Sequence, residues 1–397
     1  MTRSAHREAA QRFDRALEAI AQLPETHETI ERSVDLRIDT RKALFPLGQY
    51  ARGLGRLREA ERIAAAMMAT FWWMGRYDLS LEAGARALSA PESAGDLALQ
   101  IEVTFRLAQS HQGLGDYRRA IQFYQRNVDV IGPARRFERF GLTVPPALFS
   151  ESYLIWCLAE LGDFKTGAAR SLRVLGAARE SKHPYTLITA NYCAGRHELI
   201  RGELPRAIPQ LEEAFELTRV YEYPVWFPNT ASSLGYAYFL AGRHAEGLSL
   251  MEQAVERAGL LAQAFVHALR LVFLADSLRQ LGRREAAHER AVEALEVART
   301  HQEAGSVAYA LRTLGDVHAD DDSERARSCF EEAAEMATQL GMRPLVAHCQ
   351  FGLGELSKRR GDFAAAGETL RTAVALYGDL DMESWRQRAE SALSSIT

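Results

Sequence analysis

Apolar residues along this chain fall into helix-length stretches separated by short turns built on glycine. The turns read Leu47-Gly48-Gln49-Tyr50, Met74-Gly75-Arg76-Tyr77, Leu114-Gly115-Asp116-Tyr117 and Leu161-Gly162-Asp163-Phe164. They continue as Arg201-Gly202-Glu203-Leu204, Ala241-Gly242-Arg243-His244, Leu281-Gly282-Arg283-Arg284 and Arg360-Gly361-Asp362-Phe363. Subtracting successive glycine numbers gives 27, 40, 47, 40, 40, 40 and 79, and the last is two repeats with Asp320-Asp321-Asp322-Ser323 as the middle turn. Glycine at a helix end takes the left-handed conformation without a Cβ penalty. Each turn therefore predicts one helix ending and another beginning.

Five residues after each turn stands a small residue: Gly53, Ser80, Ala120, Gly167, Ala207, Gly247, Ala287, Ala366, and Ala326 after Asp321. Seven further on come Ala87, Ala214, Ala254, Ala294, Ala333 and Ala373, while Gly195, Gly235, Gly315 and Gly354 fall in the preceding helix. Small residues at this spacing let two antiparallel helices approach closely. The pattern resembles that of tetratricopeptide repeats, stretched from 34 residues to 40. It predicts an all-α, right-handed α-solenoid of helix–turn–helix repeats. Pro184, Pro224 and Pro344 mark starts of first helices, where a missing N–H costs nothing.

One array over 1–397 is expected, with incomplete repeats at 1–60 and further repeats at 61–130. A long loop at 131–147 carries Gly132-Pro133 and Gly141 to Pro146, regular 40-residue repeats fill 148–380, and a capping helix closes 381–397. The 27-residue interval predicts a shortened or lost helix. Ala9, Phe13 and Ala16 repeat the second-helix pattern with almost no chain before them, which predicts a piece of a longer protein.

Several segments are similar to the C-terminal repeat region of bacterial regulators that join an adenylate/guanylate cyclase domain, an AAA- or STAND-type ATPase and tetratricopeptide repeats. They include Asp35 to Asp39, Trp156 to Gly162, His183-Pro184-Tyr185, Ser233 to Tyr238 and Gly341 to Cys349. The resemblance implies a sensory or relay role for the repeats, and names no ligand.

Net charge is −4 with a sequence pI near 6.3, which gives no basic stripe and argues against nucleic acid. No run of about 18 uncharged apolar residues exists, so no membrane span is expected. Cys157, Cys193, Cys329 and Cys349 stand apart, as buried thiols of a reducing cytoplasm would. None of the four lysines (42, 165, 182, 358) follows glycine, so there is no P-loop. No HExxH or nucleophile-elbow motif occurs, and Asp320 to Asp322 reads as a solvated turn. No catalytic residue, metal or cofactor is therefore expected, and the chain reads as non-enzymatic.

What is left is the inner wall formed by the first helices. Counting back from the turns places Trp72, Phe105, Gln109, Trp156, Tyr192, Arg196, Asn229, Ser232, Tyr236, Asp276, Arg279, Arg312, Asp316, His348 and Glu355 there. The arginines suit carboxylates or phosphates, unless Asp276 and Asp316 pair with them. The leading expectation is a regulatory domain that binds a peptide or protein segment in this groove. A small-molecule sensor or a peptide-pheromone-type receptor are the alternatives, and a closed aromatic-lined pocket would favour the small molecule.

Overall fold

The computed structural model describes residues 3–24, 26–44, 47, 49–88 and 96–396. Gly48, one of the predicted turn glycines, lies outside them. Among the described residues there are helices and turns but no strand. The chain divides into two compact units, Met1–Ser110 and His111–Thr397.

The first unit holds α1 (Arg3–Ile20), α2 (His27–Leu44), α3 (Tyr50–Trp73), α4 (Tyr77–Leu88) and the start of α5 (Leu97–Gly113). Phe13 of α1 packs with Ala10 against Ala43 and Leu44 of the following helix, α2. A single 24-residue helix, α3, fills the short interval before Gly75. Elsewhere two helices separate successive turns. Ser80, five residues past Gly75, donates to Met68 O at 3.3 Å and accepts from Ser110 Oγ at 2.7 Å, knitting α3, α4 and α5 together.

The second unit continues with α6 (Tyr117–Ile131), a 3-10 turn at Pro133–Arg135, α7 (Pro146–Leu161), α8 (Phe164–Ser181), α9 (Pro184–Arg201) and α10 (Leu204–Val220). Then follow α11 (Phe227–Leu240), α12 (His244–Leu260), α13 (His267–Gln280), α14 (Arg284–Thr300), α15 (Ala304–His318) and α16 (Ser323–Leu340). It ends with α17 (Arg343–Arg359), α18 (Phe363–Asp379) and the terminal α19 (Glu383–Ser394). Helices pack in consecutive pairs. The turn glycines do what their chemistry allows: Gly162 and Gly202 sit at φ 82° and 91°. The aspartates after several of them cap the next helix, Asp116, Asp163 and Asp362 accepting from backbone N–H groups three residues on. Gly235 and Gly247 let α11 and α12 approach closely, since a Cβ on Gly235 would stand 2.7 Å from Gly247 O and one on Gly247 closer still to Gly235 O.

A second ladder runs through the return turns. Lys182, Glu222, Ala262 and Gln302, each 40 apart, have φ of 51°, 50°, 47° and 57°, and Gly341 and Asp381 continue it. Pro184 and Pro344 stand in the first turns of α9 and α17, as expected. Pro224 differs: it precedes α11, because Trp226 and Phe227 bond back to Tyr223 and Pro224 in a turn of their own. The turn seats the Trp226 ring, which is 1% exposed, against Tyr185 and Tyr192.

This second unit closes on itself. Phe164 and Ala159 share a core with Ala347, Tyr377, Leu380 and Met382 of α17, α18 and the turn before α19. Arg201 Nε donates to Asp381 O at 3.1 Å, 180 positions along the chain. A Cβ on Gly162 would stand 2.6 Å from a Leu380 methyl and 3.2 Å from the Pro344 ring, so this turn lies directly against the far end of the unit.

Candidate inner-wall site

Trp156, Arg196, Tyr236, Asp276 and Asp316 follow one another at intervals of 40 residues, the first four standing six before their turn glycines and Asp316 five before Asp321. One register of the first helices therefore delivers them as a stack to the inner side. Neighbours in the stack touch: the Arg196 guanidinium lies 4.3 Å over the Trp156 ring, and Tyr236 OH donates to Asp276 Oδ2 at 2.8 Å.

The stack has two parts. In the front part the groove is filled by the protein's own side chains. Glu160 accepts from Trp156 Nε1 at 2.9 Å and Arg196 Nη2 at 3.1 Å on one oxygen, and from Tyr309 OH at 2.8 Å on the other. Arg196 and Glu160 side chains are 3% and 2% exposed. Burial alone would pull the Arg196 guanidinium down, but Tyr192 and Glu160 outweigh it and hold it above its ordinary value. Tyr192 is buried edge-on between Trp156 and Trp226. Asn229 is also enclosed, accepting from Arg270 Nη2 at 2.6 Å.

In the rear part a cavity of about 170 Å³ remains, lined by Tyr236, Asp276, Arg279, Arg312, Asp316 and His348 together with Phe351, Glu355, Trp385 and Arg388. Asp276 is saturated: besides Tyr236 it accepts from Arg279 at 3.1 Å and Gln280 at 2.9 Å. Burial pushes its carboxyl up, yet Arg312 and Arg279 overcome this and leave it below the usual range. Arg312 pairs with Asp316 at 2.8 Å. His348 bonds the Tyr377 hydroxyl through Nδ1 at 2.8 Å and meets the Trp385 ring edge to face. Burial, with Arg312 and Arg388 nearby, holds its imidazole well below the usual range, so it is neutral at pH 7.

The candidates Trp72, Phe105 and Gln109 belong to the first unit, and all three are buried there. Trp72 is 1% exposed and donates to Gln109 O at 3.2 Å, and Phe105 is buried. Of the Phe71-Trp72-Trp73 run, Phe71 and Trp72 are buried and Trp73 is partly exposed, as a helix advancing 100° per residue requires. Cys157, Cys193 and Cys349 are buried and Cys329 is half-buried, all as free thiols. Asp320 and Asp321 face Arg284, and Asp320 also meets Arg359 at 2.7 Å, as a charged turn would.

Sequence reasoning missed Glu160, Tyr309, Arg270, Trp385 and Arg388. Glu160 carried a signal, being one of only two charged residues in the otherwise apolar helix α7. Tyr309 lies 149 positions away and carried none.

No family model matches the sequence, and neither does any curated protein. Solved structures do. A Rap conjugation gene regulator of the plasmid pLS20, in complex with a Phr peptide, superposes with a TM-score of 0.57 at 14% identity, over 97% of this chain and 98% of that one. The apo form of RapI gives 0.51 at 11% identity, over 95% and 98%. The fold is a tetratricopeptide-like α-solenoid. A STAND signal-transduction ATPase with a tetratricopeptide repeat sensor, from Pyrococcus horikoshii, aligns over 98% of this chain at 14% identity and a TM-score of 0.45. This chain spans 55% of that protein's length. Among the described residues no helix is long and apolar enough to cross a membrane.

Proposed function

We propose that the chain is a regulatory binding module that senses a small ligand in the rear cavity of its second unit. The observation that carries this reading is the self-closure, in which the Glu160 cluster occupies the front of the inner wall and leaves a partly open space of about 170 Å³ behind it. Tyr236, Asp276, Arg279, Arg312, Asp316 and His348 surround that space, whereas Trp156, Tyr192 and Arg196 would hold the closed arrangement together. Trp72, Phe105 and Asn229 would be packing residues. An extended peptide is the competing occupant, since the Rap regulator of the same fold was solved with one. To be read by a peptide, the Glu160 cluster would have to open.

The test is a thermal-shift screen of a metabolite library against the full chain and Arg312→Ala. The reading predicts ligands that raise the melting temperature of the full chain and lose their effect in the variant. Partners recovered only as peptides, bound equally by Arg312→Ala and more tightly by Tyr309→Phe, would contradict it. A regulatory module also predicts no nucleotide turnover tracking with protein concentration.

A further inference from the structure

The rear cavity reveals its ligand class through the charges it leaves weakly matched. Its size sets a first limit. A space of about 150 Å³ takes a benzene ring, while drug-sized ligands need about 300–1,000 Å³. At about 170 Å³ this one takes a short side chain and a head group. Leu240, Phe330, Phe351 and Leu356 supply apolar wall, so part of the ligand is hydrocarbon.

Most of the lining charges are already matched. Asp276 is held by Tyr236, Arg279 and Gln280; Arg312 faces Asp316; Arg359 reaches away to Asp320. Two of the lining groups, Arg388 of α19 and Glu355 of α17, are matched more weakly. Arg388 is exposed at the rim of the cavity, 4.9 Å over the Trp385 ring, and no carboxylate among the described residues pairs with it. Glu355 forms a loose ion pair with Lys358 at 3.6 Å, and its enclosed Oε1 receives no hydrogen bond. Arg312 adds an Nε with no acceptor. The weakly matched groups have opposite signs. A singly charged ligand would satisfy one and face the other unmatched, whereas a ligand with both charges satisfies each.

We infer that the cavity binds a small zwitterion of the free α-amino-acid type, its carboxylate toward Arg388 and Arg312 and its ammonium toward Glu355. This rests on the reading of the cavity as the sensing site. The ligand's side chain lies against Phe351 and Leu356, and the cavity's size favours a short aliphatic one.

The experiment titrates the full chain with the proteinogenic L-amino acids one at a time, by thermal shift and calorimetry. For a leucine-type ligand, isocaproate (no ammonium) and isoamylamine (no carboxylate) are run beside it. At least one aliphatic amino acid binds, and each truncated analogue binds at least tenfold more weakly. Glu355→Gln weakens the amino acid at least tenfold and leaves isocaproate unchanged; Arg388→Gln weakens the amino acid and leaves isoamylamine unchanged. Circular dichroism checks that both variants fold. Isocaproate binding as tightly as leucine overturns the zwitterion in favour of a simple anion. If no amino acid binds while a library metabolite does so in an Arg312-dependent way, the zwitterion fails and the sensing site stands. If nothing small binds, both fail.

Discussion

Glu160→Ala probes the contact on which the closed second unit depends. Its carboxylate receives three hydrogen bonds, from Trp156, Arg196 and Tyr309, in a site where Glu160, Trp156 and Arg196 are almost fully buried and Tyr309 is half-buried. Removing one partner of a buried ion pair costs about 3–5 kcal/mol, because the surviving charge is left uncompensated. Stranding the Trp156 and Tyr309 donors adds about 1–3 kcal/mol each if water does not reach them. Water admitted to the alanine void will offset part of this, so the expected loss is about 4–6 kcal/mol. Arg196→Met deletes the cation but leaves Glu160 two donors, so it should cost less, about 3 kcal/mol. The double variant no longer carries an orphaned charge. It should therefore be more stable than the sum of the two single losses predicts, by about 2 kcal/mol or more. Urea denaturation followed by circular dichroism gives all four values. Additive losses within about 0.5 kcal/mol would refute the direct Glu160–Arg196 pairing. A Glu160→Ala loss below about 1 kcal/mol would refute the buried cluster altogether.

Ala254 and Ala294 are both fully buried between helices, so replacing either by Leu should cost about 1–3 kcal/mol in urea unfolding, and unchanged midpoints for both would place them off the contact. Ala262 is exposed at φ 47°; Ala262→Gly should stabilise by up to about 1 kcal/mol by relieving the left-handed strain, and a loss would show that the turn relaxes in solution. Burial, then Arg270 and His301, push His267 down to about 4. Its unfolded value is near 6.5, so the unfolded chain binds the extra proton in between and stability falls as pH drops from 6.5 to 4. His267→Gln should flatten that stretch of the stability–pH curve, and an unchanged curve would contradict the burial.

The repeat itself was legible because helix ends need glycine and close helix pairs need small side chains, so both leave letters at fixed spacing. The return turns left none. Lys182, Glu222, Ala262 and Gln302 adopt the same left-handed backbone with ordinary side chains, held there by the packing of successive pairs. Periodicity also brought Tyr236, Asp276, Arg279, Arg312, Asp316 and His348 to the inner side, and the structure gathers them around one space. It could not tell that Trp156, Tyr192 and Arg196 would be covered. Their cover comes from Tyr309 and from the far end of the unit, and contacts across 149 or 180 positions follow from accumulated curvature that no single repeat records. For the same reason Trp385 and Arg388, on a terminal helix outside the period, reach the cavity unannounced.

The central claim is that the second unit closes, leaving a small cavity where an open array would offer a groove. Lys165 and Asp379 are exposed and flank the contact of Phe164 with Leu380. Spin labels on Lys165→Cys and Asp379→Cys, with Cys329 replaced by Ser, allow their separation to be measured by pulsed electron resonance. With helices about 8–10 Å apart, the nine intervening helices, α9 to α17, arranged as an open array would hold the labels more than about 40 Å apart. Closure predicts a single narrow distribution centred below about 25 Å, allowing for label length on directly packed helices. A broad distribution beyond about 40 Å would contradict the account and restore the open groove.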